Sequence, residues 1–498
     1  MRVTGQTVPA VRHQVAECLR LLEYYEWLIN SFVLDYFQDG HWSRLPSSWQ
    51  AVLGRTSPRE LADWLQPGTV SRAREPLPLS LLALKQSLSH LALERRPVSD
   101  LSCAAASLDL PDDDPAWQFE PELLSASGGQ HQSLKHVFRK HVKPKKQYEM
   151  CRLAKLISSV ADSREVEKVL DIGSGVGHLS RYLCYNNNLT VACVDGDDNL
   201  TVSARKFDEE LEKTVEKLKA RSGQEDLKLP DSPVHVTAHI APDMDLASFH
   251  QLLRNNFKMK EESLQYGLVG LHTCGDLGPV IIKMFVQDCS SRMLTSLGCC
   301  YMKIKQHFPM SRQVASLPWT SLTYTSTELS CHAIEMYAEK LRLGEEDKLK
   351  VHCYRAVLEE MLVGRDPQYR HTILKTVSKP HLLSFSDYVS RATATLVSQG
   401  MPAFTESELQ SEAVTLKLKQ WWQVVTFYSV RLAFAPVIGK SSHTTRECKY
   451  YFVFPSETVI LLDRCLYLYE NGLDNTIFSL FDPMKSPRNQ VIMAVKTI

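Results

Sequence analysis

A chain of 498 residues is too long for one compact core, so about two or three domains are expected. Its 44% apolar content is ordinary for a globular protein, and 57 Lys and Arg balance 57 Asp and Glu, which argues against a wholesale polyanion binder but leaves room for a local basic strip. The 13 cysteines are scattered through core-like segments and not at framework spacings, and Met1–Ala10 lacks a signal-peptide pattern; both suit a reducing, intracellular setting, cytoplasmic or nuclear.

Along the chain, Val15–Phe37 carries Leu19, Leu22, Tyr25, Leu28, Ile29, Phe32 and Tyr36 at helical spacing, and Leu77–Leu93 reads as a second helix stopped by Pro97. Residues 1–97 are therefore expected to form a helical N-terminal module. Residues 98–132, rich in Ser, Asp, Pro and Gly, read as a flexible linker. A basic strip follows, from Lys135 to Glu149, with Phe138 and Tyr148 among its lysines. It suits either phosphate contacts with base stacking or a solvated segment bordering a ligand pocket.

A core over residues 133–326 is expected to hold strands at Val166–Ile172, Thr190–Val194, Val234–His239, Tyr266–His272 and Met293–Gly298, alternating with helices such as Leu200–Ala220. Alternation at this spacing predicts an α/β fold with a mostly parallel sheet covered on both faces. Residues 327–480 read as a helical subdomain, with apolar stripes in Ala333–Leu343, Tyr354–Leu362 and Leu416–Phe434. Trp421–Gly439 is its best membrane candidate, but Gln423, Arg431 and Pro436 interrupt it, so it reads as a buried helix. Residues 481–498 hold one more strand, Asn489–Val495, which needs partners and is expected to rejoin the earlier sheet beside the strand at Met293–Gly298.

The chemistry starts at Asp171-Ile-Gly173-Ser-Gly175-Val-Gly177-His178, where a buried strand turns through glycines into a helix. Such a turn brings backbone N–H groups close to a ligand and adds a helix N-terminus. A dinucleotide fingerprint wants glycine or alanine where this chain has His178, so NAD or FAD fits poorly. The Asp-x-Gly-x-Gly-x-Gly pattern resembles motif I of class I methyltransferases that use S-adenosyl-L-methionine. About twenty residues on, the next strand ends in Asp195, placed to accept ribose hydroxyls of a nucleoside cofactor. The bland alternative is an acidic surface turn.

In open parallel sheets the ligand lies beyond the carboxyl ends of the strands. This puts His272, Cys274 and Asp276 beside the reacting methyl group, and strand alternation would turn the three to one side if the strand persists that far. Methyl transfer needs an aligned acceptor and, for most acceptors, a base, which His272 or Asp276 supplies. The competing reading makes these residues packing groups. A further reading makes His272, Cys274, Cys299 and Cys300 four metal ligands meeting across adjacent strand ends. Neither spacing matches a zinc knuckle and neighbouring Cys299 and Cys300 would point apart, so no metal site is expected.

Taken together, Phe138–Glu149, Asp171–Ser180, Gly270–Leu277 and Gly298–Met302, with Trp42–Trp49, His352–Ala356 and Ser486–Asn489, resemble the methyltransferase-like 25 family over nearly the whole chain. The resemblance implies a class I Rossmann-like core with a helical insertion before the last strand, and S-adenosyl-L-methionine as cofactor. It implies contacts from Lys146, Glu149, Asp171, Gly173, Gly175, Gly177, Asp195, Asp243 and His272, with Asp243 near the adenine and His272, Cys274 and Asp276 as the catalytic candidates. The acceptor is expected to be RNA or protein, not DNA. The alternative is a catalytically silent cofactor-binding scaffold. Enzymes that methylate the exocyclic amine of adenine usually carry an Asn/Asp-Pro-Pro-Tyr or Asn-Leu-Pro-Tyr loop where this chain has His272-Thr-Cys274-Gly275. The Cys274-Gly275 and Cys299-Cys300 elements are more similar to a tRNA 2′-O-methyltransferase family. Gly439–Ser456 departs from the family pattern as either a surface loop or retained intron sequence, and no function is placed on it.

Overall fold

The computed structural model describes every residue except 66–74, 96, 99–133, 135, 223–230, 242, 258–264, 333, 435–436, 441–448, 453–454, 484 and 497–498. The expected linker at 98–132 thus lies, apart from Val98, outside the described residues, as does most of the Gly439–Ser456 segment. The chain divides into two compact units: residues 1–19, 94–321 and 457–498 form the first, and residues 20–93 and 322–456 the second.

The first unit is built on an eight-stranded sheet of β1 (Arg2–Val3), β2 (Lys168–Ile172), β3 (Thr190–Asp195), β4 (Val234–Thr237), β5 (Tyr266–Gly270), β6 (Ser291–Ser296), β9 (Asn475–Ser479) and β10 (Gln490–Val495), in the order β1-β9-β10-β6-β5-β2-β3-β4. Strands β2 to β6 pair in parallel. The final strand β10 is antiparallel to both β6 and β9. The chain therefore steps outward to β3 and β4 on one side of β2 and to β5 and β6 on the other, leaving a crevice at the carboxyl end of β2.

Alternation explains why both faces are apolar. Val169, Val191, Val269, Met293, Val491 and Met493 pack in one cluster with Leu153, Ile157, Leu179 and Leu183 from the helices Pro144–Ser163 and His178–Asn187. Their strand neighbours Leu170, Ala192, Leu268, Leu294 and Ile492 point to the opposite face and are equally buried. This is the α/β, mostly parallel Rossmann-like arrangement of class I methyltransferases. Pro144 opens the first of the two helices at a position where its missing N–H costs nothing.

Two boundaries move. The sheet recruits β1 from the extreme N-terminus and β9 from the region read as mostly helical, so neither 1–97 nor 327–480 is one all-helical module. Strand β9 hides in the sequence because Asn475, Thr476 and Ser479 break its apolar run. All three are buried and donate to backbone carbonyls of Cys465, Met1 and Glu94 respectively.

The second unit joins residues 20–93 to the insertion. Arg431 Nε donates to Ile29 O (3.0 Å), Trp422 Nε1 to Thr56 O (3.0 Å), and Arg342 pairs with Asp63 (2.9 Å). The membrane candidate becomes the helix Trp421–Leu432, largely buried, and among the described residues no helix is long and apolar enough to cross a membrane. Strands β7 (Val437–Lys440) and β8 (Lys449–Phe452) form a separate two-stranded ribbon.

Candidate active site

At the crevice, Gly173, Gly175 and Gly177 all adopt positive φ (74°, 59° and 70°), a run that only glycine accepts without strain. A Cβ on Gly175 would meet nothing within 4 Å, so that glycine faces open space. One on Gly177 would come 2.9 Å from His235 Cε1, so that glycine is needed for packing. Beneath it sits a buried ion network. Arg181 donates to Asp208 Oδ1 (3.0 Å) and to the Val176 carbonyl (2.9 Å), while His235 Nε2 meets Asp208 Oδ2. The loop carbonyl is thereby clamped from below.

Asp195, at the end of β3, closes the loop from the side. Its Oδ2 accepts the Gly175 N–H (2.8 Å) and its Oδ1 the Asp197 N–H (3.0 Å), which leaves each oxygen capacity for a further donor. Asp171, at the floor, is almost fully buried and accepts from Ser180 Oγ (2.6 Å). Burial pushes its carboxyl up to about 6, against the opposing pull of Ser180, Lys146 and His272.

The basic strip supplies the third wall. Glu149 is 1% exposed; its Oε1 accepts from Ser486 Oγ (2.6 Å) and lies 3.5 Å from Lys145, while its Oε2 lies 3.7 Å from His272 Nε2. Both Glu149 Oε2 and His272 Nε2 are buried and have no hydrogen-bond partner among the described residues. Burial disfavours the Glu149 charge, yet His272, Ser486 and Lys145 outweigh it and hold the carboxyl down to about 2. Burial lowers the Lys146 ammonium, opposed by Glu149 and Asp171.

Of the two readings of the strip, base stacking is the one its aromatic side chains do not favour. Tyr148 is buried, with its hydroxyl accepting the Asp482 N–H (2.6 Å), and Phe138 packs edge-on against Tyr182. Lys140 and His141 both pair with Glu210 (2.7 and 3.0 Å), and His141 stacks on Phe207.

The three catalytic candidates do not share one side. Strand β5 ends at Gly270, and a turn through Gly275 (φ 59°) into the helix Leu277–Gln287 breaks the alternation. His272 faces Glu149. Asp276 instead accepts backbone N–H groups of Lys305 (3.1 Å), Gln306 and His307 (both 3.3 Å), an anchor for that loop and not an available base.

Cys274 meets Cys299 and Cys300 at Sγ–Sγ distances of 2.9 and 3.3 Å, with 3.6 Å between Cys299 and Cys300. The expectation that the neighbours point apart fails because β6 stops at Ser296. Cys300 (φ −118°, ψ 70°) then leads into a tight turn, Tyr301–Lys303. Hydrogen bonding from Cys299 draws the Cys274 thiol down to about 6 and pushes Cys299 up. Asp243 is exposed after β4, and its neighbour Pro242 lies outside the described residues. Sequence reading missed Ser180, Arg181, Asp208, His235 and Ser486. Ser180 and Ser486 fall in stretches that carry the family resemblance, but nothing in the sequence marked their roles.

Residues 145–307 match the family model described as a methyltransferase domain, a span that includes the glycine loop, Lys146, Glu149, Asp195, His272 and the three cysteines. The human protein named probable methyltransferase-like protein 25 is 24% identical, over 76% of this chain and 79% of its own length. The mouse protein of the same name is 26% identical over 46% of this chain and 37% of its own. The solved structure of coclaurine N-methyltransferase bound to N-methylheliamine and SAH aligns with 84% of this chain and 98% of that one, at 12% identity and a TM-score of 0.22, too low to carry an argument. The stretch that matches the methyltransferase-domain model thus lies in the first unit, and the chain is similar to the human methyltransferase-like protein over 76% of its length.

Proposed function

We propose that the protein is an S-adenosyl-L-methionine-dependent methyltransferase with a macromolecular acceptor, RNA or protein. The observation that carries this reading is the loop of three positive-φ glycines held under Asp195 at the switch point of the sheet, with Gly175 opening on unfilled space. The donor set around it fits the cofactor part by part. Glu149 and Asp171 suit an ammonium, and Lys146 a carboxylate. Asp195 keeps lone pairs for ribose hydroxyls, and Asp243, exposed beyond β4, is assigned to the adenine. The unpartnered Glu149 Oε2 and His272 Nε2 are buried polar atoms of the kind that a ligand satisfies.

Bound there, S-adenosylmethionine supplies an electrophilic methyl group on a sulfonium. The chain's own work is orientation and proton handling. Glu149, held anionic, faces His272 Nε2 and orients the imidazole, the candidate proton acceptor for the incoming nucleophile. Exposed Lys143 and Lys145, where the strip enters the helix Pro144–Ser163, offer charge to an acceptor larger than a metabolite.

Calorimetry with S-adenosylmethionine tests the cofactor. Binding to the folded wild type, weakened by Asp195→Ala, is expected, and a folded wild type that binds none refutes the assignment. Incubation with methyl-labelled cofactor and cell extract tests the acceptor. Label in a nuclease-sensitive or a protease-sensitive fraction, lost in Asp195→Ala, separates RNA from protein. Binding without transfer to either fraction makes the protein a cofactor-binding scaffold.

A further inference from the structure

We propose that Cys274, Cys299 and Cys300 bind a zinc-class divalent cation through three sulfur ligands, with a fourth coordination position left open to solvent. The three sulfurs converge pairwise at 2.9, 3.3 and 3.6 Å, and no fourth His, Cys, Asp or Glu ligand atom joins them among the described residues. Metal–sulfur bonds of about 2.3 Å in a tetrahedral site set sulfur–sulfur edges of roughly 3.8 Å. A cation therefore needs the three to part by less than about 1 Å.

The frame that holds them together is backbone, not sulfur. Thr273 donates through both N (3.3 Å) and Oγ1 (2.9 Å) to Leu297 O, and the Gly275 N–H donates to Cys300 O (3.3 Å). Gly275 lets the two loops touch, since a Cβ there would lie 2.7 Å from Lys303 O. The thiols are half-buried rather than packed in the core, so burial does not account for their meeting. A disulfide would use two of the three and strand the last.

Three thiolates select a soft or borderline cation over magnesium or calcium. Three protein ligands with an open fourth position is the catalytic pattern of zinc, not the structural one. His272 is not the fourth ligand: its Nε2 faces Glu149. The proposal stands independently of the cofactor reading, because the metal binds or fails to bind whether or not S-adenosylmethionine does.

The test is metal analysis of the full chain purified in reductant, paired with Co²⁺ replacement. About one zinc per chain is expected, together with thiolate-to-Co²⁺ charge-transfer bands. Both should be lost in Cys299→Ser and in Cys274→Ser but kept in Cys353→Ser, a buried cysteine of the second unit. A wild type that holds no metal and takes up no Co²⁺ overturns the proposal. So does metal that survives Cys299→Ser, or a metal-free chain whose mass and peptide map report a Cys274–Cys299 disulfide. If the serine variants fail to fold, zinc protection of Cys274 and Cys299 from alkylation in the wild type decides. Equal labelling with and without metal refutes the site.

Discussion

The two halves of the crevice are built on opposite plans. On the side of β3 and β4, nearly every polar group is spoken for: Asp195 holds the glycine loop, Arg181 clamps the Val176 carbonyl, and Asp208 joins Arg181 to His235. On the side of β5 and β6, Glu149 Oε2 and His272 Nε2 are left without hydrogen bonds, and three thiols crowd together. The first half is a rigid mould that owes its shape to internal hydrogen bonds. The second keeps its donors and acceptors for something else. Stability and chemistry are thus divided between neighbouring loops of one sheet, and substitutions on the two sides should differ in kind.

The largest effect should come from removing what both halves rest on. Strand β10 lies between β6 and β9, with Val491, Ile492, Met493 and Ala494 all buried. Deleting residues 487–498 exposes β6 and detaches β9 and β1, so loss of soluble folded protein is expected. A truncated chain that keeps the wild-type melting temperature would show the sheet to be independent of its final strand.

Next in size is Arg181→Met. It leaves Asp208 buried with only His235 opposite, and breaking one side of a buried pair costs about 3–5 kcal/mol. Urea unfolding measures this directly. A matched loss of only a few tenths would mean that the network is solvated and not a clamp.

The division also explains what the sequence could reveal. The parallel core was legible because its strands are largely apolar runs: Val169 to Ile172, interrupted only by Asp171, and Val191 to Val194 read as buried without any tertiary knowledge. The glycine loop and Asp195 were legible because their spacing is itself the mechanism. The buried network was not, since Arg181, Asp208 and His235 lie on three separate elements and each alone looks like a surface residue. Strand β9 was missed because its polar residues are satisfied by distant carbonyls. The fate of His272, Cys274 and Asp276 turned on where one strand stops, and a shift of two residues at the end of β5 sent each to a different partner.

The two buried carboxyls of the crevice should give opposite pH dependences. Asp171 is raised in the folded state to about 6, so between about pH 4 and 6 the native chain holds a proton that the unfolded chain has released. Its contribution makes stability fall as pH rises through that window and keeps it lower above. Glu149 is held down to about 2, so its contribution is present above about pH 4.5 and lost as pH falls toward 2. Asp171→Asn should therefore flatten the upper window by on the order of 3 kcal/mol, and Glu149→Gln the lower one by a similar amount. Denaturation midpoints at pH 4, 5, 6 and 7 resolve the first. An unchanged slope in Asp171→Asn would remove Asp171 as its source.

The finest comparison is between two glycines of one loop. Both adopt the left-handed conformation, for which a side chain costs about 1–2 kcal/mol. Gly177→Ala also drives a methyl group into His235 of the buried network, and overpacking there should bring the total to about 2–3 kcal/mol. Gly175→Ala meets no protein atom, so its stability loss should stay within the backbone cost of about 1–2 kcal/mol. Yet the added methyl group points into the space assigned to the cofactor, so S-adenosylmethionine affinity should collapse in Gly175→Ala while the fold is nearly intact. Paired urea melts and calorimetry on the two variants make the distinction. If Gly175→Ala binds the cofactor as the wild type does, the open space at that glycine is not the cofactor's, and the mould faces a different ligand.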